Sequence, residues 1–335
     1  MGHRQSKKKD SKMRKTTFLT SIAIFVALLA SCGTLFAQNV TNFKCLKTLA
    51  GHSERVNSVS WSPDGNYLAS VSDDLSFIIW DANKCKNLIQ IAGNISGVNS
   101  VCWSPDGNYF ATDLGYNDVN IWDANIGANI KNLEGHSDGI LSVCWSPNGK
   151  YLASGSRDNT FIIWDAKSGQ RLKTFKEHSN WVKSICWSPD GKYLASSFSH
   201  GTVIIWDIMS GQKLKTLQGH TKSVNSVCWS PDGKYLASGS EDDTVIIWDA
   251  KSGQCLKTLT GHSDGVLSIC WGPDGKYLAS SSYDDTVIIW NAKSGEKIKT
   301  LTVHSDDVTS VSWSPDGKYL ASGGGDGTVK IWGAE

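Results

Sequence analysis

Proline is scarce in this 335-residue chain. There are seven, and all occupy the second place of one kind of turn: Pro63, Pro105, Pro147, Pro189, Pro231, Pro273 and Pro315. A chain that keeps proline at tight turns leaves its strand interiors free to donate every ladder hydrogen bond. Helical periodicity is missing after residue 37, which excludes a helical bundle and an α/β sheet. Basic charge is missing where a nucleic-acid binder needs it. Residues 1–15 carry seven Lys or Arg against Asp10, which leaves 26 basic and 31 acidic side chains in the remainder. A mildly acidic body lacks the basic face that tracks phosphates, so no nucleic-acid partner is expected. The nine cysteines show no C-x-x-C or comparable ligand spacing, so no metal or cofactor is expected.

What is present is a repeat. A Trp recurs at Trp80, Trp122, Trp164, Trp206, Trp248, Trp290 and Trp332, each step being 42 residues without insertion or deletion. A single core for a chain of this size would be large, and a period of about 40–45 residues points to a repeat array instead. The array fills residues 43–335. In the copy from Gly219 to Leu259, Val224 to Trp229 alternates apolar with small polar residues and reads as a strand. Ser230-Pro231-Asp232-Gly233 is a turn, with Pro pre-setting its second position and Gly supplying a positive φ. Tyr235 to Ser240 is a second strand. Glu241-Asp242-Asp243 turns the chain into a third, Thr244 to Asp249, which is β-branched and aromatic. Lys251-Ser252-Gly253 leads to a fourth, Cys255 to Leu259. Four short antiparallel strands joined by tight turns make a meander.

Gly-His at the start, Trp-Asp near the end and four strands in about 42 residues resemble the WD40 repeat family. The resemblance covers essentially everything after Asn42. It implies an all-β, seven-bladed β-propeller of four-stranded antiparallel blades around a central channel. Strand counting supports a closed ring independently. The chain stops at Glu335, just after a third strand, whereas Lys44 to Leu49 carries a fourth-strand pattern ahead of the first Gly-His. The N-terminal strand can therefore complete the last blade, which removes the open edge and the need for capping repeats.

His, Ser and Asp recur at fixed offsets from Trp: His52, Ser70, Asp74, Trp80; His136, Ser154, Asp158, Trp164; His220, Ser238, Asp242, Trp248; His262, Ser280, Asp284, Trp290; and His304, Ser322, Asp326, Trp332. A Ser–His–Asp constellation can activate a nucleophile, but an active site occurs once and this set occurs five times. The resemblance implies a buried hydrogen-bond network that ties each blade together. Repeat 2 departs from it with Asn94, Thr112 and Tyr116, and repeat 4 with His200 in the Asp position beside His178 and Ser196. Five cysteines (Cys102, Cys144, Cys186, Cys228, Cys270) share the place before the first Trp of their repeats, where Ser60 and Ser312 stand in repeats 1 and 7. They read as small buried apolar residues pointing in equivalent directions, poorly placed to bridge.

Members of the family commonly bind peptides at the narrow top rim. Carrying those offsets over marks the positions that vary most: Arg55, Trp181 and Asp307 after the His; Asn57, Asn99, Lys183, Asn225 and Thr309 two further on; and Arg157, Glu241 and Tyr283 before the turn Asp. Variable loops on a fixed scaffold are where function usually resides. Trp181 is the one tryptophan of 15 outside the two repeat positions. Beside Lys183 it suits an interface anchor; alternatively, it folds over the loop of its own irregular blade. The expected function is a non-catalytic, monomeric interaction scaffold with a protein or peptide partner. The alternative is an enzyme or small-ligand binder using the channel, for which no singular cluster of titratable residues is found.

Ahead of the repeats, residues 1–37 read as an export signal or membrane anchor: a basic segment, the uncharged run Thr16 to Ala37, and small residues. Three forms fit. Leu29-Ala30-Ser31-Cys32 resembles the bacterial lipoprotein box, which implies cleavage and lipidation at Cys32. Cleavage after Ala37 is the second, although Leu35 is larger than the small residue wanted there. The third is an uncleaved span, because 22 residues can cross a bilayer. A start at Met13 would leave a shorter basic segment. All three forms put the repeats on the far side of a membrane, as an exported bacterial member of the family, tethered or secreted, touching membrane only through this segment. Free thiols sit awkwardly with export. Residues 38–42 are a polar linker.

Overall fold

The computed structural model describes residues 40–92, 97–113, 117–176 and 180–334. The repeat unit folds as its turns require. In the fifth blade, Ser230 Oγ donates to Asp232 at 2.7 Å and accepts the Tyr235 amide at 2.9 Å, closing the first turn. Gly233 there has φ +69°, a conformation open to glycine. The hairpin that follows pairs Leu236 with Trp248 and Ser238 with Ile246. At the third turn, Asp249 accepts the Ser252 amide at 2.7 Å and its hydroxyl at 2.8 Å. The Asp of the Trp-Asp pair is thus a turn residue. Val224–Trp229, Tyr235–Ser240, Thr244–Asp249 and Cys255–Thr260 form one antiparallel sheet in chain order.

Seven such four-stranded sheets are present, and their first strands pack against one another around a common axis. In every blade but the second, the first hairpin carries a register shift at its entry, as between Val224 and Ser226. Such a bulge bends the strand and increases its twist. The second blade is shorter: its first strand is only Val101–Trp103. Asp113, fully buried, compensates by accepting the amides of Asn99 and Ser100 and the Asn99 side chain at 2.7–3.1 Å. Burial raises its carboxyl to about 6 despite those bonds. Among the described residues, no helix is long and apolar enough to cross a membrane.

The apolar cores lie between blades. Between the fifth and sixth, Ala237, Val245, Ile247 and Leu259 meet Val266, Ile269, Trp271 and Trp290. An equivalent cluster fills each of the other six interfaces. The seventh blade is completed as expected. Its sheet runs from Tyr319–Gly324 and Thr328–Gly333 to the N-terminal strand Lys44–Ala50. Cys45 lies opposite Trp332 and Leu49 opposite Val329. Leu49 is buried in the cluster joining the last blade to the first, and Val40 and Phe43 are buried in the one before it. The stretch ahead of residue 43 thus contributes a core side chain.

Side chains stitch the first strands together around the channel. Ser58, Ser100, Ser142, Ser184, Ser226, Ser268 and Ser310 each accept an amide from the next blade, at 3.0–3.5 Å. The bond from Val59 to Ser310 closes this ring of seven across the chain ends.

Removing residues 43–50 strips the last blade of its fourth strand and uncovers both neighbouring clusters. Burying Leu49 alone is worth about 1.5–3 kcal/mol. Size-exclusion chromatography and denaturant unfolding of that truncation should show aggregation or a non-cooperative transition; a soluble monomer with one sharp transition would contradict the closure argument.

Candidate functional site

The recurring His, Ser, Asp and Trp come together in five blades. His enters from the loop before the first strand, Ser from the second strand, Asp from the turn after it and Trp from the third strand. In the fifth blade Trp248 Nε1 donates to Ser238 Oγ at 2.8 Å. Ser238 Oγ lies 2.8 Å from His220 Nε2, and His220 Nδ1 lies 2.9 Å from Asp242. Asp242 also accepts the Thr221 amide at 2.8 Å and the Thr244 hydroxyl at 2.6 Å. A neutral imidazole protonated on Nδ1 gives every bond one donor, so the network assigns that tautomer. The other four sets repeat the His–Asp distance at 2.8–3.0 Å and the His–Ser distance at 2.7–2.8 Å. The Gly before each of four of these His is explained by contact. A Cβ on Gly219 would fall 2.8 Å from the Trp248 ring, so the loop can lie on the indole only without a side chain.

The two divergent blades keep half of this chain of bonds. Trp122 donates to Thr112 at 2.9 Å and Trp206 to Ser196 at 2.8 Å. His200, in the Asp position, bonds Thr202 at 2.7 Å. Asn94, Tyr116 and His178 lie outside the described residues, as does Cys32.

The imidazoles are enclosed, with side chains 0–1% exposed. Burial pulls His52, His220 and His304 below their ordinary value of 6.5, against the opposing pull of their aspartates. The aspartates respond the other way. Burial pushes Asp74, Asp158, Asp242, Asp284 and Asp326 up, but the bonds from His, from Ser or Thr and from the backbone outweigh it and hold them low. A serine that accepts from Trp and donates to an enclosed neutral His faces no solvent where a substrate could sit. The network is therefore structural.

The rim residues gather into two sectors. In one, the Arg157 guanidinium lies 5.2 Å from the Trp181 ring and the Lys183 ammonium 5.6 Å from it. Trp181 keeps 44% of its surface exposed, and the contact with Arg157 reaches across to the neighbouring blade. Arg157 Nε is buried without a hydrogen-bond partner, and no carboxylate pairs with either cation among the described residues. In the other sector Arg55 pairs with Asp307 at 2.6 Å and lies 5.9 Å from the Tyr283 ring. Glu241 adjoins Tyr283 across Gly265. Burial raises the Tyr283 hydroxyl, with Asp307, Glu241 and Asp264 adding to the effect and Arg55 opposing it. One side of the rim thus carries unpaired cations and the other a surplus of carboxylates.

Several features escape a reading of the sequence. Asp285, Asp306 and Asp307 bring carboxylate oxygens within 4.8 Å of one another, the one such group among the described residues that could ligate a cation; Asp307 is already engaged by Arg55. Asn57, Asn99, Asn225 and Thr309, at the rim offsets, each bond a backbone carbonyl of the next blade, that of Val98, Ile140, Val266 or Val56. They are staples. The five repeat-position cysteines pack against the apolar clusters between blades, as small apolar residues would. They are only partly buried, and Cys102 Sγ accepts the Trp145 amide of the next blade at 3.4 Å. Two hollows, of about 400 and 340 Å³, lie between blades four and five and between blades two and three. Both are lined by equivalent repeat residues, such as Pro189, Tyr193 and Trp229 against Pro105, Tyr109 and Trp145. Neither gathers singular chemistry.

The network ties stability to pH with one sign. Its shifted His and Asp residues are all held lower in the fold than in an unfolded chain, so unfolding takes up protons and stability rises with pH. The His contribution is complete above 6.5 and declines as the pH falls below it; the Asp contribution is lost further down, below 3.8. Asp113, outside the network, runs the opposite way. Urea unfolding should therefore show stability falling from pH 7 to pH 5, and Ser238→Ala should cost about 1–3 kcal/mol at pH 7, the penalty of leaving Trp248 and His220 unpaired. A flat pH profile together with a neutral Ser238→Ala would overturn the assignment.

Comparison with known proteins agrees with this geometry. Residues 43–81, 85–123 and 127–165 match the WD domain, G-beta repeat, and residues 159–334 match the WDR3 first beta-propeller domain. Protein HIRA of Dictyostelium discoideum is 43% identical over 56 residues, 17% of this chain and 5% of that protein. A subunit of chromatin assembly factor 1 from Gallus gallus is 48% identical over 46 residues, 14% of this chain and 8% of that protein. The WD repeat-containing protein WDS homolog of Arabidopsis thaliana is 38% identical over 84 residues, 25% of this chain and 15% of that protein. Each match thus spans a small fraction of its relative. With the family models covering the repeats from end to end and seven closed blades in the structure, the chain belongs to the WD40-repeat β-propeller family.

Proposed function

We propose that this protein is a non-catalytic interaction scaffold whose rim takes a peptide or protein segment anchored at Trp181. The observation that carries the reading is an exposed tryptophan flanked by two cations, Arg157 and Lys183, with no carboxylate among the described residues to neutralise them. Aromatic and arginine side chains dominate interface hot spots, and an unpaired cation beside an aromatic face favours a partner group carrying negative charge. A segment that places an apolar side chain on Trp181 and a carboxylate beside it meets both demands. The relatives' names are in keeping, one of them being part of an assembly factor. Affinity capture followed by quantitative mass spectrometry is expected to lose partners when Trp181→Ala and Lys183→Ala are combined. An unchanged set of partners would remove the anchor.

The proposal extends to location: residues 1–37, with their basic, apolar and small segments in order, are an export signal or anchor that delivers the propeller across a membrane. This reading rests on the sequence of that segment. Fractionation with intact-mass measurement of the N-terminus tests it. A lipidated Cys32, a new start at Gln38, or a membrane-bound uncleaved chain each fits; an unprocessed chain recovered in the soluble cytoplasmic fraction would refute it.

A further inference from the structure

Just ahead of the closing strand, Val40 and Phe43 are set by a short 3₁₀ turn in which the Phe43 amide donates to the Val40 carbonyl at 3.2 Å. Both side chains are buried, and the Phe43 ring lies 5.7 Å from that of Trp313. They sit in the cluster between blades six and seven with Ile289 and Trp313, and Tyr277, Ile298 and Ala334 pack at its margin. The hollow of about 400 Å³ between blades four and five is lined by the residues two repeats earlier: Ile205, Trp229, Tyr193, Leu214 and Ala250. The same receptacle is thus filled at one interface by a segment of the chain and open at another.

Other interfaces cover this place by other means. Between blades seven and one, Lys47 lies across it, its ammonium donating to the Ala82 and Asn83 carbonyls at 2.8 and 2.9 Å, and about 20 Å³ remains. Between blades one and two, Ile89 stands where Lys215 does and packs on the shared cluster. Between blades three and four, Ile208 stands where Ala250 does and packs likewise. The hollow between blades four and five keeps the small Ala250 in its wall and leaves Leu214 and Lys215 exposed at its mouth. It runs on past Asp232 into a further hollow of about 320 Å³, lined by Pro231, Tyr235 and Pro273. A segment longer than one turn therefore has a surface on which to continue.

We propose that the hollow between blades four and five is a docking site for a segment of another protein that carries an apolar residue followed, three positions later, by an aromatic one. The segment is seated as Val40 and Phe43 are between blades six and seven. In a 3₁₀ turn the side chains at i and i+3 lie one above the other, so a single turn presents both anchors to one hollow. The chain's own pair is not available for this place. It runs directly into Lys44–Ala50, which is paired with Thr328–Gly333, and a second copy holds its pair in the same way. The site is separate from the rim. Trp229 ends the first strand of its blade, whereas Trp181 precedes the start of the first strand of blade four, at the opposite end of the sheet.

The test uses the full chain and a fluorescein-labelled peptide copying Gln38 to Lys44, which omits most of the closing strand. Fluorescence anisotropy should show saturable binding. Phe43→Ala in the peptide should weaken it about tenfold or more, as loss of an interface anchor does. Leu214→Glu in the protein should abolish it. Leu214 is exposed on an outer strand, so this variant is expected to fold, as circular dichroism would verify. Ile130→Glu, at the equivalent place beside the hollow between blades two and three, should leave most of the binding, and so should Trp181→Ala at the rim. No binding, binding indifferent to Leu214→Glu, or equal loss with Ile130→Glu would each overturn the proposal. Loss with Trp181→Ala would move the peptide to the rim and overturn it as well, while leaving the rim anchor standing.

Discussion

Each four-stranded blade presents two apolar faces, and only a neighbour on either side can cover them. Trp271 of the sixth blade shares its cluster with Leu259 of the fifth, and equivalent residues meet at the other interfaces, with Phe175 and Ile91 in place of Leu at two of them. In a linear array the two end faces would stay exposed; here the cluster holding Leu49 and Val56 joins the last blade to the first. Burial therefore rests on closure, which in turn rests on one strand that precedes its partners by more than 270 residues. The ring of serine-to-amide bonds adds directionality. Each first strand is registered by the one before it, so no blade can shift along the axis without breaking two of those bonds.

Closure sorts the chemistry into two kinds. Whatever recurs from blade to blade supports the ring. His220, Ser238, Asp242 and Trp248 would suggest catalysis if they occurred once, yet the imidazole is enclosed, neutral and consumed by its neighbours. Whatever occurs once is free of that duty. Trp181, Arg157 and Lys183 differ from their counterparts in other blades and gather at one rim sector. Arg55, Tyr283 and Asp307 gather at another, already satisfied among themselves.

Much of this is legible in the residues alone, for identifiable reasons. The 42-residue period, the proline-bearing turn and the stray fourth-strand motif at Lys44 to Leu49 are local signals, and each leads to the element that forms. Side-chain direction on the first strand is not legible. Alternation separates Ser226 and Cys228 from Val227, but which set meets the next blade is decided by the packing of the ring, where Ser226 accepts the Ile269 amide and Cys228 packs on the shared cluster. Hence the bonds from Asn57 and Asn225 to the next blade are not foreseen from their place at the rim offsets. The pairing of Arg55 with Asp307 spans the closure and exists only once the ring has shut. Asp113 escapes notice because nothing in its own repeat announces that the first strand there is cut to three residues.

The closing strand carries one further consequence. Its Cys45-Leu46-Lys47-Thr48-Leu49 is identical to Cys255-Leu256-Lys257-Thr258-Leu259, the outer strand of the fifth blade. Nothing in that segment marks it as belonging to its own ring. Two opened molecules that trade it form a swapped dimer in which every contact is one the monomer already makes. Chain concentration during refolding, and no new interface, then decides between one ring and two.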